Sequence, residues 1–264
     1  MPQLCANLKY LFTEHALYDR FAAARQAGFE LVEYQFPYDE DASELKRKLD
    51  ECGLRMALIN TPCGDWEAGE RGLAALSGRE EAFRDSFLMA LAYARELQCP
   101  RIHVMAGVVG DYERDIATAT YAENLRVAAQ TAAAAGVGIV IEPINGIDVP
   151  GYLLQRTAQA RAIIAMIGDA NIALQYDAYH ALMNDEDPLE GLRANMDVIA
   201  HIQIAGFPGR GEPIAEGCYD MGAFIELTDM LGYTGAIGCE YTPKAGTEAG
   251  LGWASRYGIG GQGN

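Results

Sequence analysis

Residues 172–205 read IALQYDAYHALMNDEDPLEGLRANMDVIAHIQIA. Two short apolar runs, IALQYD and AHIQIA, enclose a stretch from Pro188 to Met196 whose apolar residues recur at three and four. Runs of six suit buried strands, and the recurrence suits a helix with one face on a core. The unit is therefore strand, helix, strand. Each strand also carries an acceptor side chain at or near its end: Asp177 closes the first, and Gln203 lies just before the end of the second.

Outward from this unit the same alternation continues in both directions. QLCANL, LVEYQF, RMALIN, RIHVMA, GIVIEP and AIGCEY bring the strand candidates to eight. Amphipathic stretches lie between them at Ala16–Ala27, Ala42–Cys52, Arg79–Leu97, Ile116–Ala135, Gln155–Ile167 and Ala223–Leu231. Gly28, Gly53, Gly136, Gly168 and Gly232 follow or end several of these, where a left-handed C-cap is expected. Eight β units of roughly 33 residues each describe a closed (β/α)8 TIM barrel of the α/β class. Residues 1–264 are expected to form one such domain, since no Pro-, Ser- or Gly-rich linker divides them. The competing fold, a doubly wound open sheet, usually places GxGxxG after its first strand. Here KYLFTEH follows instead.

Composition narrows the partners. Thirty-seven acids against 20 bases leave a net charge of −17, with no basic run. A duplex binder needs Lys and Arg to replace counterions on phosphates, so nucleic acid is not the expected partner. No apolar stretch approaches 18 residues without polar interruption, so no membrane span is expected. MPQLCANLKYLF has no basic segment followed by an apolar run, so no signal peptide is expected there. The cysteines Cys5, Cys52, Cys63, Cys99, Cys218 and Cys239 contain no CxxC pair, and several sit in apolar runs as small hydrophobes. A reducing cytoplasm fits this usage. The oligomeric state is open, a homo-oligomer included.

Four strand candidates carry an acceptor at matching points: Glu142 in GIVIEPIN, Asp177 in IALQYDAYH, Gln203 in AHIQIAG and Glu240 in AIGCEYTP. The gaps between them are 35, 26 and 37 residues, each about one strand–helix unit. In a barrel all four would project from the C-terminal end of the sheet, where such barrels carry their sites. Three carboxylates and an amide oxygen meeting there repel one another unless a hard cation lies between them. Oxygen ligands suit Mg²⁺, the expected ion, and also Mn²⁺. A polar Gln203 inside an apolar run requires a partner in any case.

Other residues point at the same end. His180 follows Asp177 by three residues and can reach a substrate oxygen. His103 reads either as a donor behind the site or as a satisfied core histidine, His201 as filling deeper in the barrel, and His15 as surface. Arg210 lies in the Gly/Pro-rich GFPGRGEP loop after the seventh strand and can grip a carboxylate with two parallel hydrogen bonds. Trp66 and Arg71 lie in NTPCGDWEAGERG after the third strand, as lid or pocket wall, and Lys244 in YTPKAG follows Glu240.

The runs NTPCGDWEAGERGLAALSGRE, IHVMAG, IEPIN, DVPGY, QYDAYH, HIQIAG with PGRGEP, and GCEYTP resemble the hydroxypyruvate isomerase family of the xylose-isomerase-like barrels. The resemblance runs from Asn7 to about Tyr257. It implies that Glu142, Asp177, Gln203 and Glu240 bind a divalent metal, that Glu142 and Glu240 also act as the acid/base pair, and that His180 contacts a substrate oxygen. It implies an aldose–ketose-type isomerase, an intramolecular oxidoreductase. Its substrate would be a small anionic hydroxy 2-oxo acid, such as hydroxypyruvate going to tartronate semialdehyde, or a 2-oxo-tetronate analogue. Proton transfer through an enediolate would carry the reaction. The alternative is a ketose 3-epimerase on the same barrel, but Gln203 stands where those relatives carry a histidine. Sugar-binding and nuclease members are the remaining rivals. The nuclease branch needs extra histidine ligands, and this chain has four histidines in all.

Overall fold

A computed structural model describes residues 3–110, 113–214, 217 and 219–260. Eight strands form a closed parallel barrel in sequence order, with the last pairing to the first. They are β1 (Gln3–Asn7), β2 (Leu31–Glu33), β3 (Arg55–Asn60), β4 (Arg101–His103), β5 (Gly138–Ile141), β6 (Ile172–Asp177), β7 (Ile199–Ile204) and β8 (Ala236–Cys239). The helices α1 (Leu17–Gln26), α2 (Ala42–Cys52), α3 (Glu80–Glu96), α4 (Arg114–Ala133), α5 (Thr157–Ile167), α6 (Ala178–Met183), α7 (Pro188–Asn195), α8 (Met221–Met230) and α9 (Thr247–Gly250) lie between and after them. All eight expected strands are present. The seven expected helices are present too, with ends shifted by up to two residues. Among the cysteines, Cys5, Cys52, Cys63, Cys99 and Cys239 are free thiols, and Cys218 lies outside the described residues.

Local chemistry starts and stops these elements. Asp41 caps α2 by accepting from the Ser43 and Glu44 backbone N–H groups at 2.9 and 3.1 Å. The same helix ends at Gly53, whose φ of 61° and ψ of 37° are left-handed, as its C-cap position requires. Leu45 and Leu49 form its buried face. Two helices are absent from the sequence reading, and the first, α6, starts directly after β6 with no turn residue between them. Asp177 serves both elements, ending the strand and accepting from the Tyr179 N–H at 2.8 Å as the helix cap. Six residues are too few for a 3.6-residue period to show. The short α9, continued by a 3-10 segment over Leu251–Tyr257, escaped for the same reason.

The strands sort their side chains by alternation. Leu174, Tyr176, Ile202 and Ile204 join the core between sheet and helices. Their neighbours Gln175, Asp177, His201 and Gln203 occupy the inner face, paired in register as Gln175 with His201 and Asp177 with Gln203. Barrel interiors are commonly layers of branched aliphatic residues. This one holds a small apolar cluster of Cys5, Leu31, Ala57 and Ala236. Beyond it lies a buried polar layer of Glu33, His103, Gln175, His201 and Gln203.

That layer fits because β8 presents Gly238 to it. A Cβ at Gly238 would lie 2.5 and 2.6 Å from the two carboxylate oxygens of Glu33. Gly238→Ala is therefore expected to destabilise the barrel by about 1–3 kcal/mol, the usual cost of overpacking a filled interior. Equilibrium urea unfolding checks this: the midpoint should fall with little change in slope. An unchanged midpoint would mean that the carboxylate gives way freely.

Candidate active site at the C-terminal mouth of the barrel

The four acceptors arrive at one end of the barrel. Glu142 is the first residue after β5, Asp177 the last of β6, Gln203 the penultimate of β7 and Glu240 the first after β8. All four are buried. Gln203 and Glu240 are in direct contact: the Gln203 Nε2 donates to Glu240 Oε2 at 2.7 Å. The same nitrogen donates to Glu33 Oε1 at 2.9 Å, and the Gln203 Oε1 accepts from Gln175 Nε2 at 2.6 Å. So the glutamine has the partner that its buried position demands. Glu240 Oε2 also accepts from Gln35 Nε2 at 2.7 Å and Asn7 Nδ2 at 3.2 Å.

On the other side of the mouth, one ligand atom each from Glu142, Asp177 and His180 lies within 4.8 Å of the others. Two donors at 2.0–2.6 Å from one cation can be up to about 5.2 Å apart, so this spacing admits an ion. Asp177 Oδ2 is buried and accepts no hydrogen bond. A carboxylate oxygen left without a donor in the interior is costly unless something positive reaches it. The residues present thus fit a divalent cation.

The charge state of the mouth follows from burial. Glu142 is pushed well above the ordinary carboxylate range, first by burial and then by Glu240 and Asp177. Burial also raises Glu240, to about 8, with Arg210 opposing it and Asp177 and Glu33 adding to it. Asp177 is raised by burial, against Arg210 and the helix-cap N–H groups. Among the described residues, Arg210 contributes the one cation in direct contact. Its guanidinium bonds Glu240 Oε1, lies 3.7 Å from Asp177 Oδ2 and 3.9 Å from Asp148 Oδ2, and faces the rings of Tyr179 and Tyr10. Burial works against its charge, but Glu240 and Asp177 outweigh that and hold its pKa above the usual guanidinium value.

His180 is set as a neutral donor. Asn145 Oδ1 accepts from the Ile147 and Asp148 backbone N–H groups, so its amide nitrogen faces the other way and donates to His180 Nδ1 at 2.7 Å. The ring proton is then on Nε2, which lies 3.7 Å from Asp177 Oδ2 in the mouth. Burial, with help from Arg210, lowers its pKa to about 3, so it stays uncharged. His103 sits beneath: it is fully buried, its Nδ1 is 3.4 Å from Glu142 Oε2, and burial lowers its pKa to about 3. Neither of its ring nitrogens has a hydrogen-bond partner. His201 lies deeper, its Nε2 2.7 Å from Glu33 Oε2.

The remaining expected contacts divide. Trp66 and Arg71 are together, the guanidinium carbon 3.4 Å from the Trp66 ring centroid. Lys244 is exposed, its stem beside Gly211 and its backbone N–H on Glu212 Oε1 at 2.9 Å, and no contact brings it to the acceptors. Sequence reading passed over Glu33, Gln175, Asn7, Gln35, Asn145 and Lys9. Glu33 in LVEYQF and Gln175 in IALQYD carry the same signal as Gln203, a polar residue inside a buried run, and could have been found by it. Lys9 carries no such signal.

Residues 21–257 match the model of the xylose isomerase-like TIM barrel family. A 2-oxo-tetronate isomerase of Cupriavidus necator is 50% identical over 97% of this chain and 99% of its own. The hydroxypyruvate isomerase of Escherichia coli is 41% identical over 97% and 100%. A crystal structure described as an AP endonuclease, family 2, from Brucella melitensis superposes with a TM-score of 0.95 at 40% identity, covering 97% of this chain and 99% of that one. The 3-keto-D-glucoside 4-epimerase of Escherichia coli, at 19% identity and a TM-score of 0.83, shares the fold. With matches this extensive on both sides, the chain belongs to the xylose isomerase-like TIM barrel family, as an isomerase of its hydroxypyruvate isomerase branch.

Proposed function

We propose that this protein interconverts a short hydroxy 2-oxo acid, hydroxypyruvate or a 2-oxo-tetronate, with its aldehyde isomer. The observation that carries the reading is the pair Glu142 and Glu240. They are buried carboxylates entering one mouth from β5 and β8, both with raised pKa, beside a neutral His180 N–H. Two such carboxylates can exchange a proton with adjacent carbons of a substrate held between them. One glutamate takes the proton from C3 of hydroxypyruvate and the other delivers one to C2. The C3 hydroxyl gives up its proton to become the aldehyde oxygen and the C2 carbonyl oxygen gains one to become a hydroxyl, so protons only change place and no oxidant is needed. His180 Nε2–H donates to a substrate oxygen and stabilises charge on it as the enediolate forms. Gln203 holds Glu240 in place through the 2.7 Å bond, and Arg210 restrains its other oxygen. Glu142, Asp177 and Glu240, with Gln203 once its amide oxygen is released from Gln175, would hold a divalent cation, Mg²⁺ or Mn²⁺, which would supply Lewis-acid stabilisation for negative charge on neighbouring substrate oxygens.

The nuclease named for the Brucella relative is the second reading. A net charge of −17 and a mouth of carboxylates disfavour a phosphate backbone. Of four histidines, one is at the surface and His201 bonds Glu33 in the interior.

The direct test is turnover of hydroxypyruvate in D₂O with Mg²⁺ or Mn²⁺, followed by NMR. Solvent deuterium should appear at the carbon that accepts the proton, and ketohexoses should react far more slowly. Glu142→Gln and Glu240→Gln should each lower kcat by at least 10²–10⁴-fold, roughly the contribution of general acid–base catalysis. Asp177→Asn should be rescued by excess metal more than either glutamine variant. Equal rescue of all three would reject separate roles.

The raised carboxylates also set a pH dependence for metal uptake. Without metal, burial holds the Glu240 carboxyl raised, to about 8, so its protonation is favoured relative to the unfolded chain. The folded protein then holds more protons than the unfolded chain between the ordinary carboxylate range and pH 8, so metal-free stability falls as pH rises through that window. A cation must displace those protons, so its affinity should rise over the same window with proton release. Calorimetric titration with Mn²⁺ in buffers of different ionisation enthalpy measures this. Binding that is independent of buffer and of pH would contradict it.

A further inference from the structure

The mouth has a second pole. Lys9, in the loop after β1, holds its ammonium 4.9 Å from the Phe36 ring centroid and 5.0 Å from that of Trp66. Phe36 and Trp66 meet edge to face at 6.3 Å, and Arg71 lies on the same Trp66 ring. Lys9 as a residue is open to solvent, yet its tip is packed among rings. Burial lowers the pKa of this ammonium, against the pull of Glu240 and Cys63, while Arg210 and Arg71 lower it further. Lys9 and Arg210 both approach the Tyr10 ring, at 6.0 and 5.4 Å from its centroid, so Lys9 faces the space next to Arg210 and the Glu240 that Arg210 bonds. Among the described residues, no carboxylate oxygen lies within 4.0 Å of the Lys9 ammonium or the Arg71 guanidinium nitrogens. In a chain with 37 acids and 20 bases, two cations without anionic partners at the mouth of an acidic site are conspicuous. Arg210, the cation expected from sequence to hold a substrate anion, is instead bonded to Glu240.

We propose that Lys9, cradled by Phe36 and Trp66 and supported by Arg71, is the anchor for the carboxylate of a short 2-oxo acid. This rests on the isomerase reading for the identity of the substrate. The geometry gives the site two ends. The carboxylates of β5, β6 and β8 surround the reacting carbons and repel the substrate anion, and the cation–aromatic cluster receives it. The anchor therefore selects acids over neutral ketoses and fixes which end of the molecule meets Glu142 and Glu240. Lys9 is a specificity residue and takes no proton in the reaction.

The test uses Lys9→Gln and Lys9→Arg, both at an exposed position. On hydroxypyruvate, Lys9→Gln should raise KM about tenfold to a hundredfold with kcat within about threefold, and Lys9→Arg should recover part of the loss. Binding is read separately in a Trp253→Phe background, which leaves Trp66 as the remaining tryptophan of the two. Pyruvate should change Trp66 fluorescence saturably, and Lys9→Gln should weaken that binding at least tenfold. Hydroxyacetone, which lacks the carboxylate, should show no dependence on Lys9. If the parent binds pyruvate through Lys9 but does not turn over hydroxypyruvate, the reaction assignment fails and the anchor stands. If hydroxypyruvate turns over with an unchanged KM in Lys9→Gln, or pyruvate binds both proteins equally or binds neither, the anchor is overturned.

Discussion

Three carboxylates buried together at the mouth of a barrel are the constraint on which the rest of this structure depends. Each ion removed from water costs several kcal/mol, and their mutual repulsion adds to that. The protein answers with amides rather than with a matching set of cations. Asn7, Gln35 and Gln203 all donate to one oxygen of Glu240, and Arg210 covers the other. Glu142 and Asp177 receive less. Their side of the mouth holds the buried Asp177 oxygen without a donor, and that is where the His180 ring closes the group.

The polar layer beneath follows from the same need. Gln203 can present its Nε2 to Glu240 only if the amide is prevented from rotating. Gln175 on one side and Glu33 on the other hold it. Glu33 is in turn satisfied by Asn7 at 2.8 Å and His201 at 2.7 Å. A carboxylate in the centre of a barrel needs room, and Gly238 provides it by having no Cβ. Backbone composition in β8, the tautomer-bearing ring in β7 and the position of a mouth carboxylate are thus linked through one buried hydrogen-bond network.

The loops add an asymmetry that the strands lack. The loops after β1 and β3 bring Lys9, Trp66 and Arg71 to one rim, while the loop after β7 brings Arg210 directly onto the acids. Two kinds of positive charge result. Arg210 is consumed in holding the carboxylates, and Lys9 is left over. An enzyme acting on an anion with an acidic centre requires such a division, because a cation that neutralises the protein cannot also be fully available to the substrate.

Much of this was legible in the chain. The period of two and the period of 3.6 identified eight strands and seven helices, since both signals come from burial of one face over several turns or residues. Strand-end position identified Glu142, Asp177, Gln203 and Glu240, because a parallel barrel aligns the same end of every strand. The helix α6 was illegible because six residues carry no period. Glu33 and Gln175 were legible in principle, as polar residues inside apolar runs. What the tertiary structure alone decided was the choice of partner. Asn7 reaches Glu240 across 233 residues of sequence and Gln35 reaches it across 205. Arg210 meets Glu240, and Lys9 meets Trp66, through loops whose course depends on how they pack. Sequence patterns record which face of an element is buried, a property each segment carries by itself. Pairing between distant side chains depends on barrel closure and loop path, which no single segment encodes.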